Sequence, residues 1–135
     1  MILTMNVTQE TKITVVGVSQ DPSKYGFKIF TDLVKANYNV VGVNPKGGMV
    51  ADKLLITSLR EVNPKPELVI TVVPPKITES VVQECINLGI KQIWMQPGSE
   101  SVKAIKLAED NGLEVISQAC FMVKKELWQD KSSKK

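Results

Sequence analysis

Strands and helices alternate along these 135 residues, the pattern of an α/β fold built on a parallel sheet. Several strand candidates are near-continuous apolar runs, among them ITVV at 13–16, NVVGV at 39–43 and LVITVV at 68–73, as expected of strands covered on both faces. The segments between them carry apolar residues at helical spacing. With right-handed crossovers, this predicts a three-layer, Rossmann-like fold with strand order 3-2-1-4-5-6.

Residues 1–11 are polar after the first few positions and read as an N-terminal arm, loose or briefly helical. The first strand covers 12–16 and breaks at Gly17. A helix over 25–36 places Phe27, Phe30, Leu33 and Val34 on one side, and Asn37 sits where helices commonly stop. The second strand, 39–43, runs into the loop Asn44-Pro45-Lys46-Gly47-Gly48. Residues 54–56 read as a short edge strand, and 57–62 as one or two helical turns ended by Pro64 and Pro66. The strand at 68–73 stops at Pro74-Pro75.

An amphipathic helix is expected over 77–88, capped by Thr78, with Ile77 stapled onto Val82 and Gly89 closing it. Val81, Val82, Cys85, Ile86 and Leu88 form its inner stripe. A strand at 91–95 leads into the turn Gln96-Pro97-Gly98, after which Ser99 is expected to cap a helix ending at Asn111-Gly112. Val102, Ile105 and Ala108 should face inward on it. Residues 113–117 form the last strand. The globular domain is expected to span 12–123, and 124–135 to form a basic tail, a short helix from Phe121 followed by disorder.

Composition removes several functions. The net charge of +3 is dispersed and the aromatic content is 5%, too little of either to expect a nucleic-acid partner. No run reaches the roughly 18–20 apolar residues that span a bilayer, so no membrane association is expected. The first eleven residues do not read as a signal peptide, and two cysteines without CxxC spacing suit free thiols and cytoplasmic residence. There is no histidine, which removes His-based acid–base catalysis, phosphohistidine chemistry and the commonest metal ligand. No metal site is expected.

The strand–Gly17–helix opening, closing at Gly26, points backbone N–H groups and the positive end of a helix at one spot, which suits phosphate or pyrophosphate. The second strand ends in Asn44-Pro45-Lys46, where an NAD-binding domain usually presents a carboxylate for the ribose hydroxyls. A cation there disfavours NAD and suits a nucleotide with a phosphorylated ribose, such as coenzyme A or NADP. Val73-Pro74-Pro75 would form a rigid apolar wall lacking N–H donors, although strand termination alone also explains the prolines. Cys120 falls just past the last strand, near the expected site; Cys85 belongs to a buried helix face. Asp21, Asp52, Glu79 and Glu100 form no pair at catalytic spacing.

Five segments in register, VGVSQDPSKYG, VVGVNPKGG, LVITVVPP, IWMQPG and the strand leading to Gln118-Ala119-Cys120, resemble the CoA-binding domain. Their order is similar to the N-terminal domain of the succinyl-CoA synthetase alpha subunit and to small stand-alone CoA-binding proteins. The resemblance implies that the loop through Gly17, Val18, Ser19, Lys24, Tyr25 and Gly26 holds the CoA diphosphate, with Ser19 and backbone N–H groups as donors. It implies that Asn44, Pro45 and Lys46 meet the adenosine end, with Lys46 near a phosphate. Val73, Pro74 and Pro75 would line the adenine or pantetheine path, and Gln96, Pro97 and Gly98 the outgoing pantetheine. The phosphorylated histidine of the synthetase subunit has no counterpart in a chain without histidine, and the first loop carries an inserted Asp21-Pro22.

The expected function is binding of CoA or an acyl-CoA without catalytic machinery, with a protein partner or a second copy supplying any chemistry. Whether the chain is an enzyme stays open. Two other readings remain: an NADP-linked oxidoreductase module, for which Tyr25 is the one evident proton donor, and a module that senses CoA redox or acylation state through Cys120.

Overall fold

The computed structural model describes residues 5–129. Five parallel strands form the sheet: β1 (Ile13–Val16), β2 (Val40–Val43), β5 (Leu68–Thr71), β6 (Gln92–Met95) and β7 (Glu114–Ile116). Their spatial order is β2-β1-β5-β6-β7. Between β2 and β5 lies a separate antiparallel hairpin of β3 (Met49–Val50) and β4 (Lys53–Leu54).

Alternation along each strand divides the core in two. Ile13 and Val15 of β1, Leu68 and Ile70 of β5, and Trp94 of β6 face one side. There they meet Ile29, Phe30 and Leu33 of α1 (Tyr25–Lys35) and Phe121 and Met122 of α4 (Phe121–Lys124). Val16, Val69, Ile93 and Met95 face the other side. They meet Val81, Val82 and Cys85 of α2 (Pro75–Leu88) and Ala104 and Ala108 of α3 (Val102–Asp110). The result is the expected three-layer α/β architecture.

The expected third strand at 54–56 does not form. Leu54 belongs to the exposed hairpin, and only Ile56 reaches the sheet, through one parallel bridge to Val43. Its carbonyl accepts from Asn44 N–H at 2.9 Å and its N–H donates to Gly42 at 2.9 Å. The chain then turns into a 3-10 helix at Leu59–Glu61. The strand order is therefore 2-1-5-6-7 in chain numbering, with a single bridge in the outermost position.

Helix starts also differ from expectation. Pro75 opens α2, a position where proline's missing N–H costs nothing, so Thr78 lies inside the helix, buried and without a hydrogen-bond partner for its hydroxyl. Ile77 is half-exposed and lies within the first turn of the helix instead of before it. Ser101, not Ser99, caps α3, accepting from Ala104 N–H at 2.9 Å, and Val102 points to solvent. The described part of the amino-terminal arm, residues 5–11, is docked rather than loose. Val7 is buried, its carbonyl accepts from Lys125 Nζ at 2.6 Å, and Gln9 bonds Ala36 and Asn39. The disorder expected for the last lysines and serines lies outside the described residues.

Phe121 fastens the carboxyl-terminal segment to the sheet. It is fully buried, meets Trp94 edge-on with ring centroids 5.0 Å apart, and contacts Tyr38 at 6.0 Å. Trp94 in turn donates its indole N–H to Ala119 at 2.7 Å. Phe121→Ala is expected to cost about 3–5 kcal/mol in urea unfolding, the range for deleting a buried aromatic ring. A loss below about 1 kcal/mol would mean that the segment does not depend on this ring.

Candidate functional site

All five main strands are parallel, so their carboxyl ends share one edge of the sheet. At that edge the chain segments after β1, β5 and β6 border an open cavity of about 400 Å³. The first contributes Gly17, Ser19, Lys24, Tyr25 and Gly26; the second Val72, Val73 and Pro74; the third Pro97, Gly98 and Ser99.

Two glycines set this geometry. Gly17 has φ +108°, and a side chain there would overlap the Val72 carbonyl. A Cβ at Gly26 would overlap the Gly17 carbonyl oxygen. The first turn of α1 therefore sits directly on the end of β1, as close as backbone can pack against backbone. The N–H groups of Tyr25, Gly26 and Phe27 open the helix and have no carbonyl within it to bond. They form the positive end of α1 beside the cavity.

The loop between the two glycines is organised internally. Ser19 Oγ accepts from Asp21 N–H at 3.0 Å, which leaves its own hydrogen free to donate. Asp21 Oδ1 accepts from Ser23 N–H at 2.9 Å and Ser23 Oγ at 2.8 Å. These bonds, with the charge of Lys24, hold the Asp21 carboxyl below its ordinary range, so the turn loses their support only as acid protonates that carboxylate. The inserted Asp21-Pro22 thus builds the turn that delivers Lys24 to the helix start.

Not every expected donor faces the cavity. The N–H groups of Gly17 and Val18 are taken by the Val43 carbonyl at 3.1 and 3.3 Å, and the Val18 side chain is buried beneath the loop. Asn44 Nδ2 donates to the Val18 carbonyl at 2.7 Å, tying the second loop to the first. Pro45 and Lys46 lie exposed on the neighbouring turn, whose Lys46 N–H donates to Asn44 Oδ1 at 2.8 Å. Pro75 begins α2 and lies outside the lining. Gln96 is buried: its Oε1 accepts from Phe121 N–H at 2.7 Å and its Nε2 donates to Cys120 Sγ at 3.4 Å. It anchors α4 instead of facing the cavity.

Three contributors escaped the sequence reading. Val72 enters because Gly17 packs against it. Ser99, expected as a helix cap, is held beneath the cavity by Thr71 Oγ1 at 2.9 Å and the Gln96 carbonyl at 2.8 Å. Gln20 bridges to the Met49 N–H at 2.9 Å, across Gly48, where any side chain would strike it. The alternation of Thr71 within an apolar strand was the one available sign of a polar partner there.

Among the described residues no group of His, Cys, Asp and Glu is placed to hold a metal ion, and no helix is long and apolar enough to cross a membrane.

The family model for the CoA binding domain matches residues 11–126. The chain belongs to the CoA-binding domain family. The motifs that resembled this domain thus lie in a genuine member of it. The chain is 27% identical over 119 residues to the alpha subunit of an ADP-forming acetate–CoA ligase II of Pyrococcus furiosus, with 80% of this chain matched. It spans about a quarter of that relative's length, 26%. The uncharacterized protein YneT of Bacillus subtilis is 23% identical over 112 residues, with 83% of each chain matched. A solved structure of a conserved hypothetical protein from Pyrococcus furiosus superposes with a TM-score of 0.81 at 35% identity, covering 84% of this chain and 98% of that one.

Two predictions test the architecture of this CoA-binding domain. Gly26→Ala should destabilise it by about 1–3 kcal/mol in chemical unfolding, because the added methyl must push α1 off β1. An unchanged midpoint would show that the helix start can shift without cost. The cysteines should differ in reactivity. Burial, aided by the Glu84 charge, pushes the Cys85 thiol up to about 12, so it stays protonated at ordinary pH. Cys120 is only partly buried. Iodoacetamide at pH 8 should therefore label Cys120 in the native protein, and Cys85 only after unfolding. Native labelling of Cys85 would contradict this burial.

Proposed function

We propose that this chain binds CoA or an acyl-CoA at the carboxyl edge of its sheet and contributes no catalytic group. One observation carries the reading: the open first turn of α1, the rigid Val73–Pro74 wall and the Pro97–Gly98 turn converge on a single cavity. The diphosphate occupies the first-turn N–H groups of α1 with the Ser19 hydroxyl and Lys24 beside them, where phosphate charge is favoured. Gly17 permits the close backbone approach. Lys46, exposed on the adjoining turn, reaches the phosphorylated ribose of the adenosine end, and Asn44 and Pro45 set that turn. Val73, Pro74, Pro97 and Gly98 border the pantetheine arm, with Gln96 holding the segment behind them.

The family supports the ligand class. The ligase relative, a named subunit of a larger enzyme, supports a protein partner or a second copy as the source of any chemistry. The absence of histidine, and the lack of catalytic spacing among Asp21, Asp52, Glu79 and Glu100, favours a binding protein; the two free thiols suit action in the cytoplasm.

A ligand that binds only the native state raises stability by about 2.7 kcal/mol at a hundredfold excess over its Kd. The melting temperature is therefore expected to rise with CoA, less with dephospho-CoA, and little with NAD. A larger rise with NADP than with CoA would replace this reading with an NADP-linked one. Lys46→Ala is expected to weaken CoA by about threefold to tenfold and dephospho-CoA by much less, the size of one partly solvated charge pair. Equal losses would remove Lys46 from the ribose phosphate.

A further inference from the structure

A second and larger chamber, of about 740 Å³, lies between the outer side of α1 and the carboxyl-terminal segment. Its volume falls within the roughly 300–1,000 Å³ of small-molecule sites. Tyr25 lines both this chamber and the nucleotide cavity, so the two adjoin across one ring.

The chamber walls are built. Phe27 and Thr31, one helical turn apart on α1, form one side. Cys120, Val123 and Trp128 form the other. Trp128 packs against Tyr25 with ring centroids 5.6 Å apart, and its indole N–H donates to the Asp32 carboxylate at 2.6 Å. That bond occupies the acidic group of the wall; the exposed Lys28, Lys35 and Gln129 add polar groups to the lining, beside the apolar faces of Phe27, Val123 and Trp128. Thr31 Oγ1 is buried behind the wall and has no hydrogen-bond partner.

We infer that this chamber is an acyl site: the acyl group of an acyl-CoA enters past Tyr25 while the nucleotide end fills the first cavity. The inference rests on the CoA reading above and adds the part of the ligand that reading leaves unassigned. Phe27, Val123 and Trp128 supply apolar contact for an alkyl chain. The ligand class that uses both cavities is a medium-chain acyl-CoA.

Calorimetric titration of the full chain with CoA, acetyl-CoA, butanoyl-CoA and octanoyl-CoA tests this. A fully buried methylene contributes about fourfold in affinity. Octanoyl-CoA should therefore bind at least about tenfold more tightly than CoA, with the gain growing along the series. Two readouts report where the chain goes. Trp128 emission should shift to the blue with octanoyl-CoA and not with CoA, against a constant signal from buried Trp94. Alkylation of Cys120 should slow with octanoyl-CoA far more than with CoA. Val123→Asp, which places a carboxylate in the chamber, should reduce the octanoyl-to-CoA affinity ratio to within about twofold.

Equal affinities across the series, with Trp128 and Cys120 unaffected, would overturn the acyl site while leaving the nucleotide site standing. Failure of every ligand to bind would overturn both. Should Val123→Asp not fold, the native series and its two readouts decide the question alone.

Discussion

The contact of Gly26 with the Gly17 carbonyl is the constraint on which the site depends. It brings the first turn of α1 onto the end of β1 with no side chain between them. Gly17 makes the second close approach, against the Val72 carbonyl at the end of β5. Two backbone-to-backbone contacts thus pull the segments after two adjacent strands and one helix start into a single locus. The positive end of α1 is then aimed by packing rather than by any charged side chain. Parallel strand order supplies the rest, because it places the segment after β6 at the same edge.

Polar side chains near this edge serve mostly as fasteners. Asn44 ties the second loop to the first through the Val18 carbonyl, and Gln20 ties it again through Met49. Gln96 holds the first residue of α4, and Ser99 bonds back to Thr71. Buried polar groups need partners, and here those partners lie on neighbouring loops. The loops are therefore braced against each other before any ligand arrives, which lowers the ordering cost of binding.

The carboxyl-terminal segment does more than end the domain. Phe121, Trp94 and the Ala119 carbonyl lock it over one face of the sheet, and Trp128 reaches back to α1. The gap left between that segment and α1 is the larger chamber. Helix α1 therefore has two roles on two sides: its amino end faces the cavity at the sheet edge, and its flank forms a chamber wall.

Periodicity and composition were enough for the architecture. The apolar runs of β1, β2 and β5 and the inner stripe of α2 follow from local burial, which each segment encodes within itself. Gly17 and Gly26 were visible as backbone breaks, and the five motifs in register were enough to point to the family. What the chain in one dimension did not contain is which polar residue meets which. Gln96 and Ser99 read as site and cap, yet fold inward because Phe121 and Thr71 offer them partners from 25 and 28 residues away. The strand expected at 54–56 shrank to one bridge because the hairpin before it bonds to itself. Trp128 and Tyr25, near opposite ends of the described chain, show no pattern linking them until the fold brings their rings together. Local pattern fixes what a segment becomes, because its own neighbours bury it; pairing across the fold depends on distances that only the closed structure sets.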